Sequence, residues 1–224
     1  MTVLARLAGD VPVIGPVAIA ITNLTTVSSQ VLASDAVRHG VIFHNPSATV
    51  AKRVAPANMA LAGGSGGIEI APQSTFMLLD QGDDERFNVN TAWIAVTDNN
   101  ADATLTIWNF TDQSSAKPAP LADMNVDVQI TSPLGTQIST LGTASAQIIG
   151  QNIVRRGILL HNPDTVLIAV SPSNLAAVIG AGSIVILPGQ ELRIPAKGRV
   201  RVNCAFNAIA ASGANHSLTV LEFL

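Results

Sequence analysis

Short runs of β-branched, aliphatic and aromatic residues recur along the chain, each cut off by Gly, Pro, Asn or Asp. The clearest are GVIFH (40–44), GIEIA (67–71), TLTIWNF (104–110), GILLH (157–161), SIVIL (183–187) and SLTVLEF (217–223). Runs this short with such boundaries predict strands. TLTIWNF places Leu105, Ile107 and Asn109 on one face and Thr104, Thr106, Trp108 and Phe110 on the other. Both faces carry sizeable groups, as in a strand held between its own core and a neighbour. Helical patterns are scarce. Residues 17–37 have some periodicity, but their β-branched content favours strands. PSNLAAVIGAG (172–182) is short enough for a single helical turn before its glycines.

The pattern repeats. VRHGVIFHNP (37–46) returns as VRRGILLHNP (154–163). Residues 54–78 lie against 170–194 without a gap, so Pro56 meets Pro172, Asn58 meets Asn174 and Pro72 meets Pro188. Residues 89–110 then meet 202–223, with Trp93 on Phe206, Leu105 on Leu218 and Phe110 on Phe223. Length changes fall where loops are expected, at DQGDDER (80–86) and before the repeated phrase. The chain is a tandem duplication of units of roughly 100 residues, an ordinary domain size. Roughly seven or eight turn-bounded strands per unit are the signature of a sandwich. The expectation is an all-β chain with two tandem, jelly-roll-like β-sandwich domains. Residues 1–110 form the first and 124–224 the second, with a Pro-, Ser- and Ala-rich linker at 111–123.

Composition narrows the function. Of 224 residues, 48% are hydrophobic and 12% charged, against a usual charged share of about 25%. A weakly charged surface suits burial against other subunits. Net charge is −3, with no basic run interleaved with aromatics, so the footprint of nucleic-acid binding is missing. No stretch approaches the ~20 apolar residues of a membrane helix. Asp10, Pro12 and Pro16 interrupt what otherwise resembles a signal peptide. The single cysteine, Cys204, has no internal disulfide partner and reads as a small buried hydrophobe.

The repeated phrase carries the candidate residues: Arg38, His44 and Asn45 in the first unit, and Arg155, His161 and Asn162 in the second. Strand alternation puts Arg38, Gly40, Ile42 and His44 on one side. No repeated acid or nucleophile accompanies them, so no catalytic site is assigned. They are read as interface or turn-fixing residues, with Asn-Pro ending the strand in a turn. The four histidines and Cys204 have no metal-ligand spacing, so no metal or other cofactor is assigned. LAGGSGG (61–67) leads into a strand and lacks the ending of a phosphate loop. Its expected job is a tight turn with positive φ.

Each unit reads as Arg-x-Gly, a hydrophobic run and Asn-Pro. Pro-x-Asn, a Gly-rich turn, Asn-x-Ala-Trp/Phe-x-Ala and a closing Leu-Thr-x-x-x-Phe follow. Such a unit resembles small β-rich virion proteins of tailed bacteriophages, among them capsid decoration or cement proteins and head or tail accessory proteins. The resemblance implies a non-enzymatic structural protein of the virion, assembled in the host cytoplasm. It implies a homo-oligomer whose partners are other virion proteins, the major capsid protein first among them. A neck, tail or fibre-base component, or a small double-jelly-roll major capsid protein, is the alternative. A carbohydrate-binding module is the third reading, poorly supplied with aromatics because the chain has no Tyr and two Trp.

Overall fold

The computed structural model describes residues 15–59, 61, 67–79, 89–100, 102–111, 134–194 and 202–224. The first half contains β1 (Pro16–Ile21), β2 (Ser29–Leu32), β3 (Arg38–His44), β4 (Lys52–Pro56), β5 (Ile68–Ile70), β6 (Thr75–Leu79), β7 (Trp93–Thr97) and β8 (Leu105–Thr111). The second contains β9 (Leu134–Leu141), β10 (Ala146–Ile149), β11 (Gly157–His161), β12 (Ile168–Pro172), β13 (Ile184–Ile186), β14 (Glu191–Ile194), β15 (Phe206–Ala210) and β16 (His216–Phe223). No helix occurs among the described residues, and therefore none long and apolar enough to cross a membrane. The segment 172–182 holds turns and bends in place of a helical turn. Residues 80–86, residues 112–123 of the expected linker and the first fourteen residues lie outside the described residues.

The duplication is written in the topology. The first half forms two antiparallel sheets, β1-β8-β3-β6 and β2-β7-β4-β5. The second forms β9-β16-β11-β14 and β10-β15-β12-β13, the same strand orders with every label raised by one sandwich. The protein is all-β and consists of two tandem β-sandwiches.

Alternation along each strand fills the two interiors. Val41, Phe43, Leu105 and Ile107 of one sheet meet Val54, Ile70, Trp93 and Ala95 of the other in the first sandwich. Their counterparts Ile158, Leu160, Leu218 and Val220 meet Ile168, Val170, Phe206 and Ala208 in the second. Each such aliphatic or aromatic side chain contributes about 1.5–3 kcal/mol by leaving water.

The opposite face of β1-β8-β3-β6 is buried too. Ala18, Ile42, Trp108 and Phe110 belong to the same core cluster as the interior of the second sandwich. β8 is therefore the strand held between two cores that its sequence described. The two sandwiches share packed apolar surface.

One expectation about β3 needs correcting. The register with β8 shifts between Arg38 and Gly40. That irregularity takes Arg38 off the face of Ile42 and His44 and sends its guanidinium to Asn109, on the interior-facing side of β8 with Ile107. A strand bulge adds one residue and so flips what precedes it. Simple alternation fails at that point.

Candidate functional site

The contact between the sandwiches is the most built-up polar and apolar site among the described residues. It forms where the outer face of β1-β8-β3-β6 sits on one rim of the second sandwich. Trp108 lies across Phe206, with ring centroids 5.8 Å apart and a 45° tilt, an ordinary aromatic geometry. Asn174 clamps the open edge of β1. Its side-chain oxygen accepts the Ala18 N–H at 3.1 Å, and its amide donates to the Ala18 carbonyl at 3.1 Å. Thr106 Oγ1 accepts the Gly182 N–H at 2.8 Å and donates to the Ser183 carbonyl at 3.1 Å. A Cβ added at Gly15 would lie 2.6 Å from Cys204 Cβ, so only glycine allows that approach.

His44 is the polar centre of this contact. It is fully buried, and its Nε2 accepts the backbone N–H of Val185 at 3.2 Å. Nε2 is then unprotonated, and Nδ1–H points to Thr75 Oγ1 at 3.1 Å. Burial pushes the imidazole pKa down to about 4, so the ring is neutral near pH 7. His161 is placed differently. It is half-buried on the matching face of β11, paired across the sheet with Glu191 and Thr219.

The two arginines close the ends of their own sandwiches. Arg38 donates to the carbonyls of Ala33, Val89 and Thr91 and, through Nε, to Asn109 at 2.8 Å. Arg155 does the same in the second unit, with Gly150, Val202 and Cys204 as carbonyl acceptors and Glu222 at 2.6 Å from Nε. Asn109 and Glu222 occupy equivalent positions. Each planar fork thus ties three chain segments, a use that suits guanidinium geometry. Arg38 and His44 stand at opposite ends of a strand, about 20 Å apart at ~3.3 Å per residue. They do not form one site.

The asparagines hold the turns. Asn45 donates to the carbonyls of Val50 and Ile70 at 2.8 and 3.0 Å, and its oxygen accepts the Ser47 N–H. Asn162 donates to Val166 and Ile186 at 2.8 and 2.9 Å and accepts from Asp164. Both are fully buried. Gly67, ending the glycine-rich stretch, has φ of 63°, the left-handed region that favours glycine.

Sequence comparison gives no neighbour: no family model and no curated protein matches the chain. Among solved structures, a chain of the entire lipid-containing bacteriophage PM2 is 13% identical with a TM-score of 0.30. That match covers 88% of this chain and 49% of the other, so the chain spans about half its length. The STIV MCP is 8% identical with a TM-score of 0.25, covering 94% of this chain and 95% of that one. The regulatory subunit of a cAMP-independent protein kinase A from Trypanosoma brucei is 9% identical with a TM-score of 0.23, covering 92% and 72%. Likenesses this low, to proteins of such different roles, assign no function.

Two polar features outside this contact escape sequence reading. Lys52 is fully buried at the position matching Ile168 of the second unit, with Nζ donating to Thr97 Oγ1 and the Asp102 carbonyl. Burial lowers its pKa, and the Asp102 carboxylate at 3.9 Å works against that. Only the mismatch of Lys with Ile in the aligned repeats hints at it. The Asp164 carboxylate accepts the Ser217 and Thr165 N–H groups and faces His216, which brings its pKa down to about 2. No cluster of three or more His, Cys, Asp or Glu occurs among the described residues. Trp93 and Trp108 are both buried, so neither presents a ring face to a sugar.

Proposed function

We propose that the protein is a structural component of a virion, a capsid decoration or cement protein that stabilises the head by oligomerising on the shell. One observation carries this reading. Ile42 and Trp108, on the outer face of β3 and β8, are completely buried in the core of the second sandwich. The chain is thereby one two-lobed block with the same topology presented twice. A block of that kind suits repeated contacts on a repeating surface, where many weak interfaces add up. The candidate polar residues serve the same end. Arg38, Arg155, Asn45 and Asn162 fix strand ends and turns, and His44 joins the lobes. On this reading the protein performs no catalysis, works without a cofactor, and has the major capsid protein and its own copies as partners. The motif likeness to small β-rich virion proteins points the same way.

Quantitative mass spectrometry of purified particles tests the reading. Hundreds of copies per particle are expected of a shell protein. A dozen or fewer would move it to the neck, tail or fibre base, and absence from particles would overturn the virion role.

A further inference from the structure

Tandem repeats allow a direct comparison of what covers each unit. In the first sandwich the outer face of β1-β8-β3-β6 carries Ala18, Ile42, His44, Met77, Thr106 and Trp108, and the rim of the second sandwich covers it. The equivalent face of the second sandwich is β9-β16-β11-β14, with Gly135, Leu159, His161, Arg193, Thr219 and Leu221 in the same places. Gly135 and Arg193 are exposed and the other four half-buried. Ile42 and Trp108 are at 0% exposure, whereas Leu159 and Leu221 keep contact with solvent.

The complementary rim is also open in one unit and closed in the other. In the second sandwich it comprises Leu175, Ser183, Ile184 and Val185, pressed against the first, with the exposed Asn174 at its border bonded to Ala18. In the first sandwich the same positions are Asn58, Met59, Gly67, Ile68 and Glu69. Ile184 is 2% exposed but Ile68 is 38% exposed, although both are core-facing in register. Met59 is 48% exposed, while its counterpart Leu175 packs against the shared core.

We propose that these two open surfaces bind each other between copies of this chain. The rim of the first sandwich in one copy seats on the outer face of the second sandwich in the next, repeating the contact already made within each chain. Three pairings carry over residue by residue. Asn58 takes the role of Asn174 and clamps the exposed edge of β9 at Gly135. Thr219 takes the role of Thr106 toward Gly67. His161 accepts the backbone N–H of Glu69 as His44 accepts that of Val185. Among the residues that change, one pair changes in a complementary way on both sides. Met77 and Val185 line one cleft between the sandwiches, and their replacements are Arg193 and Glu69, an opposite-charge pair. Glu69 already pairs with Arg53 and keeps half its side chain in solvent, so a second cation can reach it.

Such a contact is heterologous, face to rim, and so builds a ring or an open string. It rests on the duplication and holds whether or not the protein belongs to a virion. Copy number in particles judges that other reading, and solution assembly of the purified full chain judges this one. Sedimentation velocity over a concentration series is expected to give species larger than the monomer that grow with concentration. Leu159→Glu spoils the face and Met59→Glu spoils the rim, so each variant alone is expected to stay monomeric. Far-UV circular dichroism identifies variants that remain folded, and Arg193→Glu on the face and Ile68→Glu on the rim, both at exposed positions, replace any that do not. An equimolar mixture of the face variant and the rim variant still offers one intact face and one intact rim, and is expected to double the mass and go no further. A wild-type chain that stays monomeric, a variant that associates like wild type, or a mixture that stays monomeric overturns the proposal.

Discussion

The backbone N–H of Val185 donates to Nε2 of His44 across 3.2 Å, joining the edge strand of the second sandwich to the inner sheet of the first. The acceptor is a fully buried imidazole, and the bond exists only while that nitrogen is unprotonated.

Acid should therefore loosen the two-lobed block. The folded pKa of about 4 lies below the ordinary value near 6.5. Between those values the unfolded chain takes up a proton that the folded chain refuses, so stability falls as pH falls from about 6.5 to about 4. At pH 5 the loss relative to pH 7 is about 2 kcal/mol from this residue. Denaturant unfolding of wild type and His44→Leu at both pH values checks it. The variant should lack this part of the pH dependence, while the other histidines contribute equally to both proteins.

Arg155→Met should cost more than Arg38→Met. Losing Arg155 strands the buried Glu222 carboxylate, whereas losing Arg38 leaves the neutral Asn109. Breaking a buried ion pair from one side costs about 3–5 kcal/mol. Adding Glu222→Gln to Arg155→Met should recover part of that, and chemical denaturation of the three variants gives the order.

Trp108→Ala should destabilise the whole chain by about 3–5 kcal/mol, the usual cost of an aromatic cavity in a core. Because Trp108 packs on Phe206 of the other repeat, the damage should reach both sandwiches. Calorimetry is expected to give one transition for wild type and two separated ones for the variant.

The Cys204 thiol should be inert while the protein is folded. Burial raises its pKa to about 12, with the Arg155 charge pulling the other way, so thiolate is negligible at pH 8. An aromatic disulfide reagent should react with the native chain only as fast as it opens, and at once in denaturant.

Much of this fold is legible in the sequence because its information is local. Strand runs bounded by Gly, Pro and Asn, and the alternation in TLTIWNF, give β8 its two buried faces directly. Repeating units then carry one reading to the other. What escapes are departures from the pattern. The register shift beside Gly40 turns Arg38 inward, and nothing in the spacing of the phrase marks it. The divided roles of His44 and His161 escape too. The Arg, His and Asn-Pro of the phrase stand at the same places in both, and only the packing of one repeat on the other buries the first histidine and leaves the second half-open. Lys52 is hidden because a lone buried lysine looks like any surface lysine in a strand until Thr97 and Asp102 are placed around it.

Cryo-electron microscopy of particles carrying this chain tests the central claim most directly. Density for a pair of stacked sandwiches, repeated at equivalent sites over the shell and in contact with the major capsid protein, is the predicted result. Density for the chain confined to the neck or tail, or none on the particle, would contradict it.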